Sequence, residues 1–178
     1  MDLNEKIIIE FIVLISGPIF QFIGYIILVF LFKDIELINM YHYGILLFNL
    51  LPIYPLDGGK LINLILNEFI SYKKSLYIVI YISSIMLLII LIVQRNIKLN
   101  VIILVLLLSI MILKEHRKIK QKYNKFLLER YLNDYKFNKS KIINNDNNLY
   151  RDNNHIIKIN NNYYLEKDLL KKKYEKKR

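Results

Sequence analysis

Asp57 stands where an ionised side chain is costly. It lies within Tyr43–Ile70, an apolar stretch broken by the string FNLLPIYPLDGGK, with Pro52 and Pro55 before it and Gly58 and Gly59 after it. A carboxylate in that setting can ligate a metal, carry a proton or cap a helix. An ionised Asp at bilayer depth costs about 2.5–3.5 kcal/mol on insertion scales, so an intramembrane Asp points to function. The competing reading is local: Asp57 as the N-cap of a helix over Gly58–Ile70 at the membrane surface. The other groups suited to metal chemistry are sparse. The three histidines are His42, His116 and His155, and none stands four residues from another. His42, in MYHYG, is expected at the outer surface. His116, in KEHRK, is expected at the basic end of the last apolar helix. None is expected to bind metal. There is no cysteine, so there is neither a disulfide framework nor a thiolate zinc site.

The elements that must position Asp57 are membrane elements. Ile7–Phe32 is 26 residues long with Glu10 its only charge. Ser75–Val93 is 19 residues long and has none, and about Ile97–Leu113 is shorter, with Lys98 near one end. A helix needs about 20 apolar residues to cross the hydrocarbon core. The expected fold is therefore mainly α: a polytopic membrane protein with about four transmembrane or broken helices. The acidic start MDLNEK and the length of the first segment argue against a signal peptide.

Charge divides the chain. Residues 1–113 carry 7 Lys/Arg and 7 Asp/Glu, whereas residues 114–178 carry 19 and 8, so the whole net charge of +11 lies in the last third. This predicts a membrane domain over 1–113 and a basic cytoplasmic tail over 114–178. Lys114, Arg117, Lys118, Lys120 and Lys122 place the end of the last apolar helix in the cytoplasm. Counting back, the Arg95/Lys98 loop is outside, Lys73 and Lys74 inside, a Lys33–Met40 linker outside and the N-terminus inside. Lys114–Asn133 continues as a helix, with Ile119, Tyr123, Phe126, Leu127 and Tyr131 on one face. That face either lies on an anionic leaflet or packs on the tail. Beyond it, Lys141–Ile143, His155–Ile159 and Tyr163–Leu165 read as strands between Asn-rich turns, followed by a basic helix. Nothing beyond charge suggests nucleic-acid readout, and no nucleic-acid partner is expected.

The spacing of Asn49, Pro52, Pro55, Asp57 and Gly58, N-x-x-P-x-x-P-L-D-G-G, resembles the NPDG region of the site-2 protease family of intramembrane zinc metalloproteases. ISGPIFQ (Ile15–Gln21) is similar to the Ser/Ala-Gly-Pro element that the family carries one helix earlier. The resemblance spans about residues 7–113 and is nearest the sporulation-type branch. It implies a zinc cofactor with Asp57 as the third protein ligand. It implies that Asn49, Pro52, Pro55, Gly58 and Gly59 shape the broken segment beside the metal and hold an unwound substrate. It implies that Ser16, Gly17 and Pro18 allow close packing and a kink nearby. Gln21 stands where an Asn is common, and Glu10 falls near an acidic position ahead of the Gly-Pro element, better read as interfacial than catalytic.

A catalytic zinc takes three protein ligands and leaves one position for water. In the family the other two ligands and the general base come from H-E-x-x-H on one helix face, and these 178 residues contain no such motif. The resemblance therefore implies a protease-like protein that is inactive alone. Its partners would be the lipid bilayer, a membrane-associated protein substrate and an upstream fragment supplying the His ligands. The alternative is a non-enzymatic membrane scaffold or degenerate subunit. The branch includes a nucleotide-sensing tail domain, but the 65 tail residues show no motif that matches one.

Overall fold

A computed structural model describes residues 4, 7–32, 34–93, 99–133, 135, 137, 139–144, 148–159 and 162–175. The element order is α1 (Ile7–Leu31), α2 (Ile35–Asn49), α3 (Asp57–Phe69), α4 (Tyr72–Val93), α5 (Leu99–Leu132), β1 (Lys139–Ile143), β2 (Asn153–Ile159), β3 (Asn162–Leu165) and α6 (Glu166–Glu175). The protein is mainly helical with a small α+β tail. Among the described residues three helices, α1, α4 and α5, are long and apolar enough to cross a membrane. The supposed linker Lys33–Met40 is not a linker. From Ile35 onward it is the first part of α2, because Leu37, Ile38 and Met40 extend the apolar pattern and no helix-breaker intervenes. The Arg95/Lys98 loop lies outside the described residues.

α1 and α2 form a hairpin tied by polar side chains. The Tyr25 hydroxyl donates to Asn39 Oδ1 at 2.8 Å, and Gln21 Nε2 donates to the His42 carbonyl at 3.2 Å. His42 is buried and stacks on Tyr25 with ring centroids 4.2 Å apart. Its expected place on an outer surface is thus corrected: the helix period turns it toward α1.

α4 and α5 pack along their lengths through Tyr72, Leu76, Ile80 and Leu87 on one side and Leu108, Ile112, Ile119, Tyr123 and Phe126 on the other. The same core continues into the tail through Ile143, Leu149, Ile157 and Leu170. The apolar face of Lys114–Asn133 therefore packs on α4 and on its own tail rather than on lipid. α5 runs as one helix through position 113.

In the tail the strand order is β1-β2-β3, with β1 parallel to β2 and β3 antiparallel to it. Lys139 faces Asn153, and Ile156 faces Leu165. A parallel pair needs a crossover that returns the chain to the start of the sheet. This crossover meets the membrane helices: Tyr72 N–H donates to the Leu149 carbonyl at 3.0 Å, and Arg151 pairs with Glu10 at 2.5 Å. Asn4, bound to the Phe126 carbonyl at 3.0 Å, places the start of α1 at the same end.

Candidate metal-ligand loop and the buried arginine centre

A chain that breaks inside an apolar bundle must satisfy its backbone internally, since each unpaired group in hydrocarbon costs several kcal/mol. The break between α2 and α3 meets this demand at Leu50, Leu51, Ile53, Tyr54 and Leu56. Leu50 N–H donates to the Leu46 carbonyl, Leu51 to Phe48, Ile53 to Leu51 and Leu56 to Ile53. Tyr54 N–H donates to Ser83 Oγ of α4 at 2.8 Å. Pro52 and Pro55 have no N–H to satisfy. The two prolines thus remove two donors that would otherwise need partners. The Tyr54–Pro55 peptide bond is cis.

Gly58 and Gly59 are buried at the first turn of α3, and neither has a positive φ. Their need is space. A Cβ on Gly58 would lie 2.2 Å from the Leu50 carbonyl oxygen and 2.4 Å from that of Leu51. One on Gly59 would lie 2.6 Å from the Ile53 carbonyl carbon. These contacts are with backbone, which cannot rotate away. The pair lets α3 start directly against the loop that precedes it.

Asp57 is the first residue of α3. The N-cap position is Leu56, and no side chain caps the helix. The carboxylate instead faces α1, its Oδ2 3.7 Å from the place a Gly17 Cβ would occupy. Its Oδ1 accepts from Lys60 Nζ at 2.9 Å, and the Asp57 side chain is 27% exposed. Gly17 lies ten residues from the start of α1, about 15 Å along the axis at 1.5 Å per residue. Beside it the α1 ladder is interrupted, because Pro18 has no N–H for the Leu14 carbonyl. Ser16 Oγ donates to the Val13 carbonyl at 2.6 Å. The structure therefore brings Asp57, Gly17 and the Pro18 break together. Asn49, Pro52 and Pro55 are half-buried in the segment before Asp57.

The residues present do not fit a catalytic zinc. Among the described residues no three His, Cys, Asp or Glu side chains come together around a common point. Asp57 offers one carboxylate, and half of that is paired with an ammonium. His42 is stacked on Tyr25, His116 packs edge-on to Tyr77 at 5.7 Å, and His155 is buried in the tail.

A second charged centre lies in the tail, and sequence reading passed over it. Arg130, 7% exposed, donates from Nη1 to both Glu166 carboxylate oxygens at 2.9 Å and to the Asn153 carbonyl at 3.1 Å. Its Nη2 donates to the carbonyls of Tyr150 (2.8 Å) and Arg151, and its Nε to Asn4 Oδ1 at 2.8 Å. His155 completes the set. Tyr150 N–H donates to Nε2 at 2.9 Å, so Nε2 is the bare nitrogen, and Nδ1 carries the proton it gives to Glu166 at 2.7 Å. Burial pushes the His155 pKa below its ordinary value, against the opposing pull of Glu166. Burial pushes the Glu166 carboxyl up, but the His155 hydrogen bond and the Arg130 guanidinium outweigh it and hold the carboxyl below its ordinary range. Glu10, read as interfacial, is the anchor for Arg151. The only sequence signal for this centre was a buried-period arginine at the end of α5, a signal shared with any helix-terminal cation.

No family model matches the chain. It is similar to stage IV sporulation protein FB of Bacillus subtilis (strain 168), with 30% identity over 143 residues, covering 72% of this chain and 48% of that protein. The two are distant relatives, and the chain spans about half the length of the curated relative it matches.

Proposed function

We propose that the chain is the aspartate-bearing part of an intramembrane metalloprotease of the site-2 type, in the sporulation-type branch, with Asp57 as one zinc ligand. The observation that carries this reading is the direction of the Asp57 carboxylate. It leaves the capping position and turns to Gly17 of α1, beside the Pro18 break. The similarity to stage IV sporulation protein FB supports it. In this reading the Asn49–Gly59 segment shapes the site, and the tail end of the bundle faces the cytoplasm. Two further ligands and a general base come from an H-E-x-x-H helix outside these 178 residues. The substrate class is a membrane-associated protein cut near the cytoplasmic face.

Zinc stoichiometry tests the reading. The purified 178-residue chain in detergent is expected to bind no zinc tightly and to cleave no membrane substrate. Reconstituted with a transmembrane segment that carries H-E-x-x-H, it is expected to hold one zinc per complex and to lose it on Asp57→Ala. Zinc-dependent cleavage by the chain alone would refute the incomplete-site reading. Undiminished zinc in the Asp57→Ala complex would refute the ligand assignment. Failure of the reconstituted complex to take up zinc would favour the scaffold alternative.

A further inference from the structure

The first basic turns of α5 carry five cations, Lys114, Arg117, Lys118, Lys120 and Lys122, and one acid, Glu115. Sequence alone leaves open which cation the acid neutralises. The structure decides: Glu115 is buried and pairs with Lys122, whose Nζ also donates to the Tyr54 hydroxyl at 3.2 Å. The pair faces inward beneath the Asp57 loop. Lys114, Arg117, Lys118 and Lys120 are exposed and have no acidic partner among the described residues. Lys114, Arg117 and Lys118 stand at i, i+3 and i+4, so they share one helix face.

Their level in the bilayer follows from the packing of α4 on α5. Tyr72 stacks on Phe126 at 4.6 Å and Tyr77 meets His116 at 5.7 Å. That antiparallel register brings Tyr81, 64% exposed, near the level of Lys114. Below this level α5 is apolar from Val101 to Leu113 and α4 from Ile85 to Val93. Lys74, also exposed, lies on the charged side. Tyrosines and cations at the boundary of apolar helices mark the headgroup layer. Lysines and arginines held there attract anionic lipid.

We propose that the exposed face of Lys114, Arg117 and Lys118 is a binding surface for anionic phospholipid headgroups. The apolar half of the same helix delivers it to the headgroup layer, and the inward turn of Lys122 leaves it uncompensated. This does not depend on the metalloprotease reading.

The test uses the full chain in nanodiscs of equal phosphatidylglycerol and phosphatidylcholine, with retained lipids counted by native mass spectrometry. The wild type is expected to retain phosphatidylglycerol in excess. Lys114→Gln/Arg117→Gln/Lys118→Gln is expected to lower that excess about tenfold, allowing for screening. Lys171→Gln/Lys172→Gln/Lys173→Gln, which removes equal charge from α6, is expected to leave it in place. Lys114→Arg/Lys118→Arg is expected to preserve it, which separates loss of charge from loss of fold. Equal retention of the two lipids by the wild type, or an unchanged excess in the first triple variant, would overturn the proposal. So would binding of soluble poly-glutamate that phosphatidylglycerol does not displace.

Discussion

Arg130 is a buried charge and Asp57 a partly exposed one, and they are treated in opposite ways. Arg130 meets a carboxylate, an amide and three backbone carbonyls. Asp57 meets one half-exposed lysine and an empty glycine face. A buried charge is tolerated when its hydrogen bonds are complete, so the arginine centre is a structural joint. It closes α5, the β1–β2 crossover, α6 and the start of α1 onto one another. The aspartate is the unfinished one. Around it the preceding loop pairs the N–H groups of Leu50, Leu51, Ile53, Tyr54 and Leu56, while the carboxylate has only Lys60 on one oxygen, an arrangement that leaves room for a further ligand or partner.

The contrast can be broken most sharply at the joint. Arg130→Ala strands Glu166 and Asn4 and is expected to cost about 3–5 kcal/mol, the usual range for one lost partner of a buried pair. Hydrogen exchange of the β1–β3 amides reads this directly. If tail protection survived, the joint would not be what holds the tail.

Acid offers an intermediate perturbation. His155 and Glu166 both have pKa values below their ordinary 6.5 and 4.5. As pH falls through about 6.5, the unfolded tail takes up a proton on histidine that the folded tail resists. Below about 4.5 the same holds for Glu166. In both windows the unfolded state binds more protons, so tail stability is fullest above 6.5 and declines as pH falls. Denaturant melts of the tail signal between pH 7.5 and 4 should show that slope, and His155→Gln should flatten its upper part. A tail that grew more stable on acidification would contradict the neutral, Nδ1-protonated His155.

The smallest effect is expected at Asp57. Asp57→Asn removes a partly exposed i,i+3 ion pair with Lys60, worth about 0–1 kcal/mol. The melting temperature of the isolated chain should barely move. A large loss would show that Asp57 is a structural partner like Arg130 and would end the comparison.

Much of this architecture was legible in the sequence because it depends on local periodicity. Apolar runs of bilayer length marked α1, α4 and the start of α5. Alternating residues between Asn-rich turns marked the three strands within about two residues of their limits. The string around Asp57 singled itself out because Pro, Asp and Gly are costly in an apolar helix. Ile35–Met40 was missed as helix because three closely spaced charges, Lys33, Asp34 and Glu36, resemble a loop when helical neighbours are unseen. Arg130, Asn4 and Glu10 were not legible as a group, since their partners lie up to 141 positions apart. No period in the chain records such distances.

The sequence by itself determined which segments seek a membrane, where the charge collects and that one aspartate interrupts an apolar segment. These are properties of solvation and helix propensity, which act residue by residue. Only the tertiary structure decided that Tyr54 N–H finds Ser83, that Gly58 and Gly59 must yield to backbone, that Glu115 spends itself on Lys122, and that Asp57 turns toward Gly17 instead of capping α3. Those choices depend on which helices meet, and helix packing is settled by surfaces far apart in the chain.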